Sequence, residues 1–287
     1  MTAPQDECAW SAIVPTRVGW PNLGRSLPAL AAALGGRGEI VVVADNARLG
    51  GGDPGSVEFR LVPHAGPRGF APACNAGAGA ARGRRLLFVN DDIELEAPTV
   101  ARLGVALDDP TVAAAGPNVW SERLGRSESG SRLEWRRGVL DTRQDALPAS
   151  GEWDVPYLTG AAIAVRRDEF FNAGGFDERL APYYWEDVDL CLRLRAGRRL
   201  VVLGDTVARH RHGVTIAAED PRARRVVYER NRLLVTWRHA GGLRIAAHLA
   251  WLPVRLGASC LRDRVVVRAW LEALRRRKES GDDRSYG

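Results

Sequence analysis

The sequence predicts an α/β fold in which a mostly parallel sheet is flanked by helices, and two observations carry this prediction. Apolar, strand-like runs alternate with helix-forming stretches over the first 117 residues, which is the pattern of a parallel sheet covered by helices. One such run, Arg85–Val89, ends in the acidic turn Asn90-Asp91-Asp92. Open sheets of this kind place their ligands at the carboxyl ends of the strands, so this turn is expected to lie at a binding site.

The order of predicted strands and helices in the first half is typical of a Rossmann-like, nucleotide-binding unit. The expected strands are Ala9–Val14, Glu39–Ala44, Phe59–Val62, Arg85–Val89 and Val112–Pro117. The helices expected between them are Leu23–Leu34, Ala71–Arg82 and Pro98–Leu107. Their composition favours helix, and Gly35-Gly36 ends the first one.

The second half is less regular. Residues 120–153 are polar and rich in Ser, Arg and Gly without a clear period, which predicts a mobile functional lid or an irregular hairpin. A strand at Tyr157–Val165 and helices at Arg167–Ala173 and Asp187–Ala196 follow. We therefore expect one domain over 1–220, with halves at about 9–117 and 118–220, and a basic helical extension over 221–287.

The cysteines, the N-terminus and the longest apolar stretch together indicate where in the cell the protein is located. The four cysteines lie far apart among 287 residues, a pattern typical of a reducing compartment. The N-terminus is polar and acidic, unlike a signal peptide. The apolar stretch Ile245–Leu261 is interrupted by His248, Pro253 and Arg255, which disfavours a membrane-spanning helix. The prediction is a cytoplasmic protein, peripheral at the inner face of the cell membrane if its tail docks there.

The charge distribution favours an anionic partner. The formal net charge is +6, and arginines crowd residues 222–238 and 262–278. No nucleic-acid-binding motif is present, so nucleic acid is not expected. Basic residues mixed with Trp237, Trp251 and Trp270 suit an anionic membrane surface equally well. The alternative is an ordinary solvated basic helix face.

Nine short motifs occur in a characteristic order along the chain. They are Val14-Pro15-Thr16, Val43-Ala44-Asp45-Asn46, residues 69–77, Asn90-Asp91-Asp92, Thr159-Gly160-Ala161-Ala162, residues 174–178, Glu186-Asp187-Val188-Asp189, His210-Arg211-His212-Gly213 and Arg230-Asn231. In order and spacing they resemble the family 2 glycosyltransferases of the GT-A fold, especially the bacterial subgroup that includes rhamnosyltransferases. The resemblance covers about residues 12–238.

A divalent metal site is the first expectation. Hard oxygen ligands at Asn90-Asp91-Asp92 suit a cation bound to a diphosphate. The resemblance assigns Asp92 as a ligand of Mg2+ or Mn2+ and His210 as a further ligand. The alternatives are a strand-end turn made by Asn and Asp and a histidine with a purely structural role.

A catalytic base is the second expectation. Glu186 and Asp187 begin a predicted helix, where they could serve only as caps. Inverting glycosyl transfer needs a carboxylate that accepts the proton of the acceptor hydroxyl. By resemblance Asp187 is that base, and Glu186 is the second candidate.

The resemblance also implies residues that bind the donor and acceptor. The expected nucleotide-binding residues are Pro15, Thr16, Asp45, Arg68, Gly69, Asn75, Asp91 and Arg230. Gly160 is expected to let sugar or acceptor approach the backbone, and Trp185 to stack on a sugar. For each, the alternative is ordinary turn formation, packing or a solvated basic face.

Together these expectations describe an inverting enzyme that adds a single sugar. The donor would be dTDP-rhamnose or another dTDP- or UDP-sugar. The acceptor would be a hydroxyl of a glycolipid, a cell-wall or polysaccharide intermediate, or a secondary metabolite. One alternative is a sugar-phosphate nucleotidyltransferase, although Pro15 to Trp20 is glycine-poor for the opening loop of that class. The other is an inactive nucleotide-sugar-binding scaffold.

Overall fold

The structure is a computed structural model that describes residues 8–45, 49, 56–64, 69–211 and 220–282. Its strands are β1 (Trp10–Thr16), β2 (Gly38–Asp45), β3 (Arg60–His64), β4 (Arg85–Val89), β5 (Ile93–Leu95), β6 (Val112–Ser121), β7 (Arg126–Ser127), β8 (Gly130–Arg136), β9 (Val139–Asp145), β10 (Glu152–Asp154), β11 (Ala162–Arg166) and β12 (Arg199–His210). Its α-helices are α1 (Trp20–Leu34), α2 (Phe70–Ala80), α3 (Thr99–Asp108), α4 (Arg167–Asn172), α5 (Glu186–Arg195), α6 (Pro221–His239), α7 (Gly242–Arg262) and α8 (Val265–Asp282).

The main sheet has the strand order β10-β12-β6-β11-β4-β1-β2-β3. Strands β4, β1, β2 and β3 are mutually parallel, as the alternating pattern predicted. Strand β11 is antiparallel to both of its neighbours, β4 and β6, whereas β6 and β12 are parallel. The sheet therefore has a parallel first half and a mixed second half.

Side chains alternate across the sheet and fill a core on each face. In β4, Leu86 and Phe88 pack into one cluster, and Leu87 and Val89 into the other. This period of two is the one expected for a strand buried on both faces. Helix α1 buries leucines at spacings of three and four and ends where Gly35 adopts a φ of 54°, a left-handed conformation that glycine adopts readily.

The antiparallel strand β11 brings two motifs together. Its residue Ala162 pairs with Val89, the last residue of β4, and the N–H of Asn90 donates to the carbonyl of Ala161 at 3.0 Å. At the other side, β12 pairs with β5 so that His210 lies opposite Ile93. One edge of the sheet thus carries the acidic turn, the glycine motif and the end of β12.

The polar segment 120–153 is more regular than the sequence predicted. It contains β7, the two-stranded sheet of β8 and β9, and β10. The N–H of Leu140 in β9 donates to the hydroxyl of Thr236 in α6 at 3.1 Å. Many of its strand residues are half-exposed, so it lacks the apolar alternation by which a strand is recognised. The segment contains the hairpin that was one of the two expectations, and cross-strand pairing and contact with α6 make this hairpin regular. Its role as a mobile lid stays a prediction.

The C-terminal helices pack against the domain through α6. Val235 joins the main core, Leu233 packs with Val139 of β9, and Val226 packs with Val265 and Ala269 of α8. No helix in the described ranges is both long and apolar enough to span a membrane. The proposed division at residue 220 stays a prediction, and α6 contacts both sides of it.

Candidate active site

Asp91 accepts hydrogen bonds that hold the acidic turn in place. The Thr16 hydroxyl donates to its Oδ2, and the Asn22 side-chain amide donates to its Oδ1 at 2.9 Å. Burial raises the pKa of this carboxyl, against the lowering by those two hydrogen bonds. Since both oxygens are engaged by the protein, Asp91 fixes the turn to β1 and α1. Sequence reasoning missed Asn22, which lies 69 positions away from Asp91.

Asp92 lies against His210 at the end of β12. Asp92 Oδ2 is 3.5 Å from His210 Nε2, and Glu128 Oε2 is 3.2 Å from His210 Nδ1. Burial lowers the pKa of His210, but hydrogen bonds to the two carboxylates outweigh it and raise the pKa to about 9. Glu128 was missed from the sequence, because nothing in a polar segment without periodicity distinguishes one glutamate from another.

The arrangement of Asp92 and His210 fits a divalent cation that is also bound by the phosphates of a substrate. A carboxylate oxygen of Asp92 lies next to the Nε2 nitrogen of His210. The Glu128 carboxylate orients the imidazole ring at its other nitrogen, as is usual for metal-ligating histidines. In the described part of the chain, no three His, Cys, Asp or Glu side chains form a set that could enclose a metal. Two protein ligands with open positions suit Mg2+ or Mn2+ that takes its remaining ligands from phosphates and water.

Asp187 lies in the first turn of α5 and faces the glycine motif. The N–H of Gly160 donates to Asp187 Oδ2 at 2.9 Å, and the N–H of Val188 donates to Oδ1 at 2.8 Å. Burial raises the pKa of Asp187, and these hydrogen bonds oppose the rise. Gly160 therefore contributes a backbone donor that orients the predicted base, a role not anticipated from its small size.

Glu186 differs from its neighbour in its surroundings. Its side chain is buried, and its Oε2 has no hydrogen-bond partner. Burial, followed by the charge of Asp187, raises the pKa of Glu186 well above its usual value. A carboxyl in this environment favours the protonated form, so Asp187 suits the role of base better than Glu186.

The loop before α5 is held in an unusual conformation by α6. Tyr184 and Trp185 have φ angles of 76° and 73°, which are costly for residues other than glycine. The side-chain amide of Asn231 donates to the carbonyls of Leu180, Tyr183 and Tyr184 at 2.5, 2.9 and 2.8 Å. Asn231 thus fixes the backbone that carries Asp187.

Two predicted site residues have a different environment from the one expected. Arg230 is only 4% exposed and donates to the carbonyl of Ala181, so in this structure it supports the same loop instead of reaching toward a diphosphate. Trp185 is buried in the core, with its ring centroid 5.7 Å from that of Tyr228. Because Trp185 is buried, it offers no free face for sugar stacking. The sequence alone does not distinguish an aromatic residue of the core from one that stacks on a sugar.

We predict that Asn231→Ala destabilises the protein by about 2 kcal/mol, since three carbonyls lose a donor in a buried place. Chemical denaturation of wild type and variant would measure the difference in the free energy of unfolding. Asn172→Ala, at an exposed asparagine that ends α4, is the matched control and should leave stability unchanged. Equal stability of Asn231→Ala and wild type would contradict this role.

The start of α2 holds the other side of the same loop. The N–H of Phe70 donates to the carbonyl of Pro182 at 2.9 Å. A Cβ on Gly69, whose φ is 145°, would lie 2.7 Å from Cα of Pro182, so only glycine fits there. Asn75 accepts from the N–H of Phe176 and donates to the carbonyl of that residue, both at 2.9 Å. Gly69 and Asn75 therefore tie α2 to the segment leading to Asp187.

The remaining predicted residues lie along the parallel half. Pro15 is a half-buried residue of β1 that pairs with Val43. Asp45 is the last residue of β2, and its side chain is outside the described part. Arg68 lies outside the described residues. The nucleotide-binding roles of these three residues stay predictions.

Asp189 joins α5 to the end of α6. Its carboxylate contacts Arg193 at 2.8 Å, Arg238 at 3.1 Å and His239 at 2.9 Å. Burial raises the pKa of Asp189, but the hydrogen bond from His239 and the charges of Arg193 and Arg238 outweigh it, so the pKa lies below its ordinary value of 3.8. This buried cluster fixes the helix on which the predicted base lies.

Asp189→Asn is expected to cost about 2 kcal/mol at neutral pH, because the partly buried Arg193 and His239 and the exposed Arg238 lose the carboxylate that they contact. A lowered carboxylate pKa stabilises the fold above the unfolded pKa, and the contribution is lost as pH falls through the folded pKa. The difference between wild type and variant should therefore be constant at neutral pH and shrink below pH 3.8. Urea unfolding at a series of pH values measures it, and a difference that grew on acidification would contradict the assignment.

The mixed α/β sheet flanked by helices agrees with the GT-A fold expected from the sequence. The sequence profile described as Glycosyl transferase family 2 matches residues 11–171, more than half of the 287-residue chain. The chain belongs to glycosyl transferase family 2.

Two relatives from Mycobacterium tuberculosis have similar sequences. The N-acetylglucosaminyl-diphospho-decaprenol L-rhamnosyltransferase is 29% identical over 292 residues, covering 90% of this chain and 92% of that protein. The pre-mycofactocin glycosyltransferase is 29% identical over 210 residues, covering 70% of this chain and 43% of that protein. The chain thus spans less than half of the length of the second relative.

Solved structures show the same fold at low identity. The mannosyltransferase PcManGT from Pyrobaculum calidifontis, in complex with GDP-Man and Mn2+, has a TM-score of 0.57 at 15% identity, covering 94% of this chain and 88% of that one. S. aureus TarS 1-349 in complex with UDP-GlcNAc also has a TM-score of 0.57, at 17% identity, covering 91% and 79%. At these identities the likeness establishes the architecture.

Proposed function

We propose that this protein is an inverting glycosyltransferase that moves one sugar from a nucleoside-diphosphate sugar to an acceptor hydroxyl. The observation that carries the proposal is the hydrogen-bonded carboxylate of Asp187, which the Gly160 N–H orients at 2.9 Å. The glycine motif adjoins the acidic turn through the bond between Asn90 and Ala161. A base and a diphosphate site on one sheet edge are what the reaction needs.

In this mechanism Asp187 accepts the proton of the acceptor hydroxyl as its oxygen bonds to the anomeric carbon. The bond between that carbon and the diphosphate oxygen breaks at the same time, so configuration inverts and the nucleoside diphosphate departs. The raised pKa of Asp187 makes it a stronger base than an ordinary aspartate. The Gly160 and Val188 N–H groups keep the carboxylate in one orientation while it gains the proton.

Asp92 and His210 are the residues that would hold Mg2+ or Mn2+. When bound, such a cation supplies positive charge that offsets the charge of the departing diphosphate. Glu128 holds the His210 ring in place at its Nδ1, and Asp91 holds the turn that carries Asp92. These residues orient the two groups that would hold the cation, and the donor phosphates would supply further ligands.

For the donor we propose dTDP-rhamnose or another dTDP- or UDP-sugar, and for the acceptor a hydroxyl on a lipid-linked or polysaccharide intermediate. The relative that matches over most of both chains is named for L-rhamnosyl transfer to N-acetylglucosaminyl-diphospho-decaprenol. An acceptor of that kind places the reaction at a membrane surface, and the cytoplasmic face remains our prediction. The secondary-metabolite acceptor stays an alternative.

The test is a transfer assay with purified full-length protein and Mn2+. A panel of dTDP-, UDP- and GDP-sugars is offered with a short-chain polyprenyl-diphospho-N-acetylglucosamine acceptor, and products are identified by mass spectrometry. NMR of the product should show the anomeric configuration opposite to that of the donor. Retained configuration would exclude the mechanism, and nucleotide-sugar binding without transfer to any acceptor would favour the scaffold.

A further inference from the structure

In the middle of helix α7, the polar side chains of His248 and Arg255 contact the protein. His248 contacts the carbonyl of Gly138 at Nδ1 and accepts from the indole N–H of Trp237 at Nε2, both at 2.9 Å. Arg255 donates to Glu229 at 2.9 Å. Of the three residues that interrupt the apolar stretch 245–261 in the sequence, the two polar ones, His248 and Arg255, contact the protein, whereas Pro253 is exposed.

Between residues 245 and 261 the outward face of α7 is consequently apolar, and the exposed Arg244 and Arg262 lie at its two ends. None of the exposed side chains between 245 and 261 is charged; they are Ala246, Ala247, Leu249, Ala250, Trp251, Pro253, Val254, Gly257, Ala258, Cys260 and Leu261. Leu243 is 91% exposed, Leu261 89%, Leu249 60% and Val254 58%. Scattered exposed leucines are ordinary on a protein surface, but a continuous apolar helix face indicates an interaction site.

The surroundings of this face are strongly basic. Residues 221–278 contain 15 arginines and lysines against three acids, a local net charge of +12. Arg262, Arg264 and Arg268 are exposed at the end of α7 and the start of α8. Two copies meeting through this region would bring like charges together, which disfavours self-association. An apolar helix face beside arginines instead matches an anionic lipid surface.

We propose that α7 is an interfacial helix that docks the enzyme on an anionic bilayer, with its outward face in the acyl boundary and the arginines at the headgroups. A 21-residue helix is about 31 Å long and lies in the plane of the interface. Of the three tail tryptophans expected to contact a membrane, only Trp251 is exposed, since Trp237 and Trp270 pack beside the buried residues Val139, Leu233 and Ala273. The inference rests on the proposed function in one respect, that a lipid-linked acceptor lies in the same bilayer.

Vesicle co-sedimentation of the full-length protein tests this proposal. Vesicles of phosphatidylcholine mixed with phosphatidylglycerol are compared with vesicles of phosphatidylcholine alone, at low and high salt. We expect binding to the anionic vesicles, with Leu249→Glu and Leu261→Glu each lowering the partition coefficient at least about tenfold. Both positions are exposed, so the variants should fold, and their thermal unfolding is measured to verify this.

Val105→Glu is the matched control, because Val105 is 66% exposed on α3, away from α7 in the sequence; it should bind as wild type does. Asp187→Asn should also bind fully, which separates docking from catalysis. Equal binding of wild type and the α7 variants would overturn the proposal. So would dimerisation without vesicles, seen by light scattering and abolished by Leu249→Glu, if vesicle binding were unaffected.

Discussion

Asp187→Asn is expected to lower kcat about a thousandfold while leaving the affinity for the donor unchanged. General base catalysis contributes ~10²- to 10⁴-fold, and an amide cannot accept the proton of the acceptor hydroxyl. The N–H groups of Gly160 and Val188 donate to different oxygens of Asp187, and the substitution keeps one oxygen that can accept from one of them, so we expect the loop to keep one of these two hydrogen bonds. Steady-state kinetics of transfer and calorimetric titration with the donor would measure the two quantities separately.

Glu186→Gln is the informative comparison for that variant. Glu186 is buried with one oxygen unpartnered, and burial favours its neutral form, which the amide imitates. We therefore expect a much smaller loss of kcat than for Asp187→Asn. Asp108→Asn, at an exposed acid paired with Arg85, should have no effect. A greater loss from Glu186→Gln than from Asp187→Asn would make Glu186 the base.

Asp92→Ala should weaken binding of a nucleoside diphosphate in Mn2+ by at least ~10-fold, because it removes a hard oxygen ligand. Glu128→Gln, which loosens the His210 ring without removing a ligand, should weaken binding by a smaller factor. Calorimetry with dTDP and UDP, each with Mn2+ and with chelator, measures these effects without requiring catalysis. Asp205→Ala serves as control, since Asp205 is an exposed partner of Arg102.

The outcome with chelator decides the interpretation of the Asp92 variant. If Asp92 acts through a cation, wild type without metal should bind as weakly as Asp92→Ala does, and adding Mn2+ should not restore the variant. Metal-independent binding by the wild type, with no effect of Asp92→Ala, would show instead that the turn has a structural role.

Much of the fold could be predicted because its parallel half is buried on both faces. Apolar runs such as Arg85–Val89 are strands in the structure, and the helices between them agree within a few residues. A hairpin was one of two expectations for residues 120–153, but the bounds of β8 and β9 could not be predicted, because their half-exposed residues show no period. The antiparallel direction of β11 depends on pairing with β4 and β6, which are distant in sequence.

Several of the site residues predicted from the sequence lie at strand or helix ends, and their roles stay predictions. Asp92, His210, Asp187 and Gly160 lie at such ends, and the structure brings Asp92 to His210 and Asp187 to Gly160. The supporting residues Asn22 and Glu128 were missed, since their importance depends on which atoms they contact. Arg230 lies in a sequence motif and Trp185 lies next to one, but both side chains are buried in the structure. A short motif does not reveal whether its residues are buried.

Because Asn231 fixes the loop before α5, this loop depends on a residue that is synthesised after the whole sheet. Strands β1 to β12 precede residue 211, so the whole sheet leaves the ribosome before Asn231, whose side chain binds the carbonyls of Leu180, Tyr183 and Tyr184. Domains fold as the chain emerges, N-terminal parts first. We therefore expect the parallel half of the sheet to form early, and the carboxylate of Asp187 to reach its final position only when α6 docks.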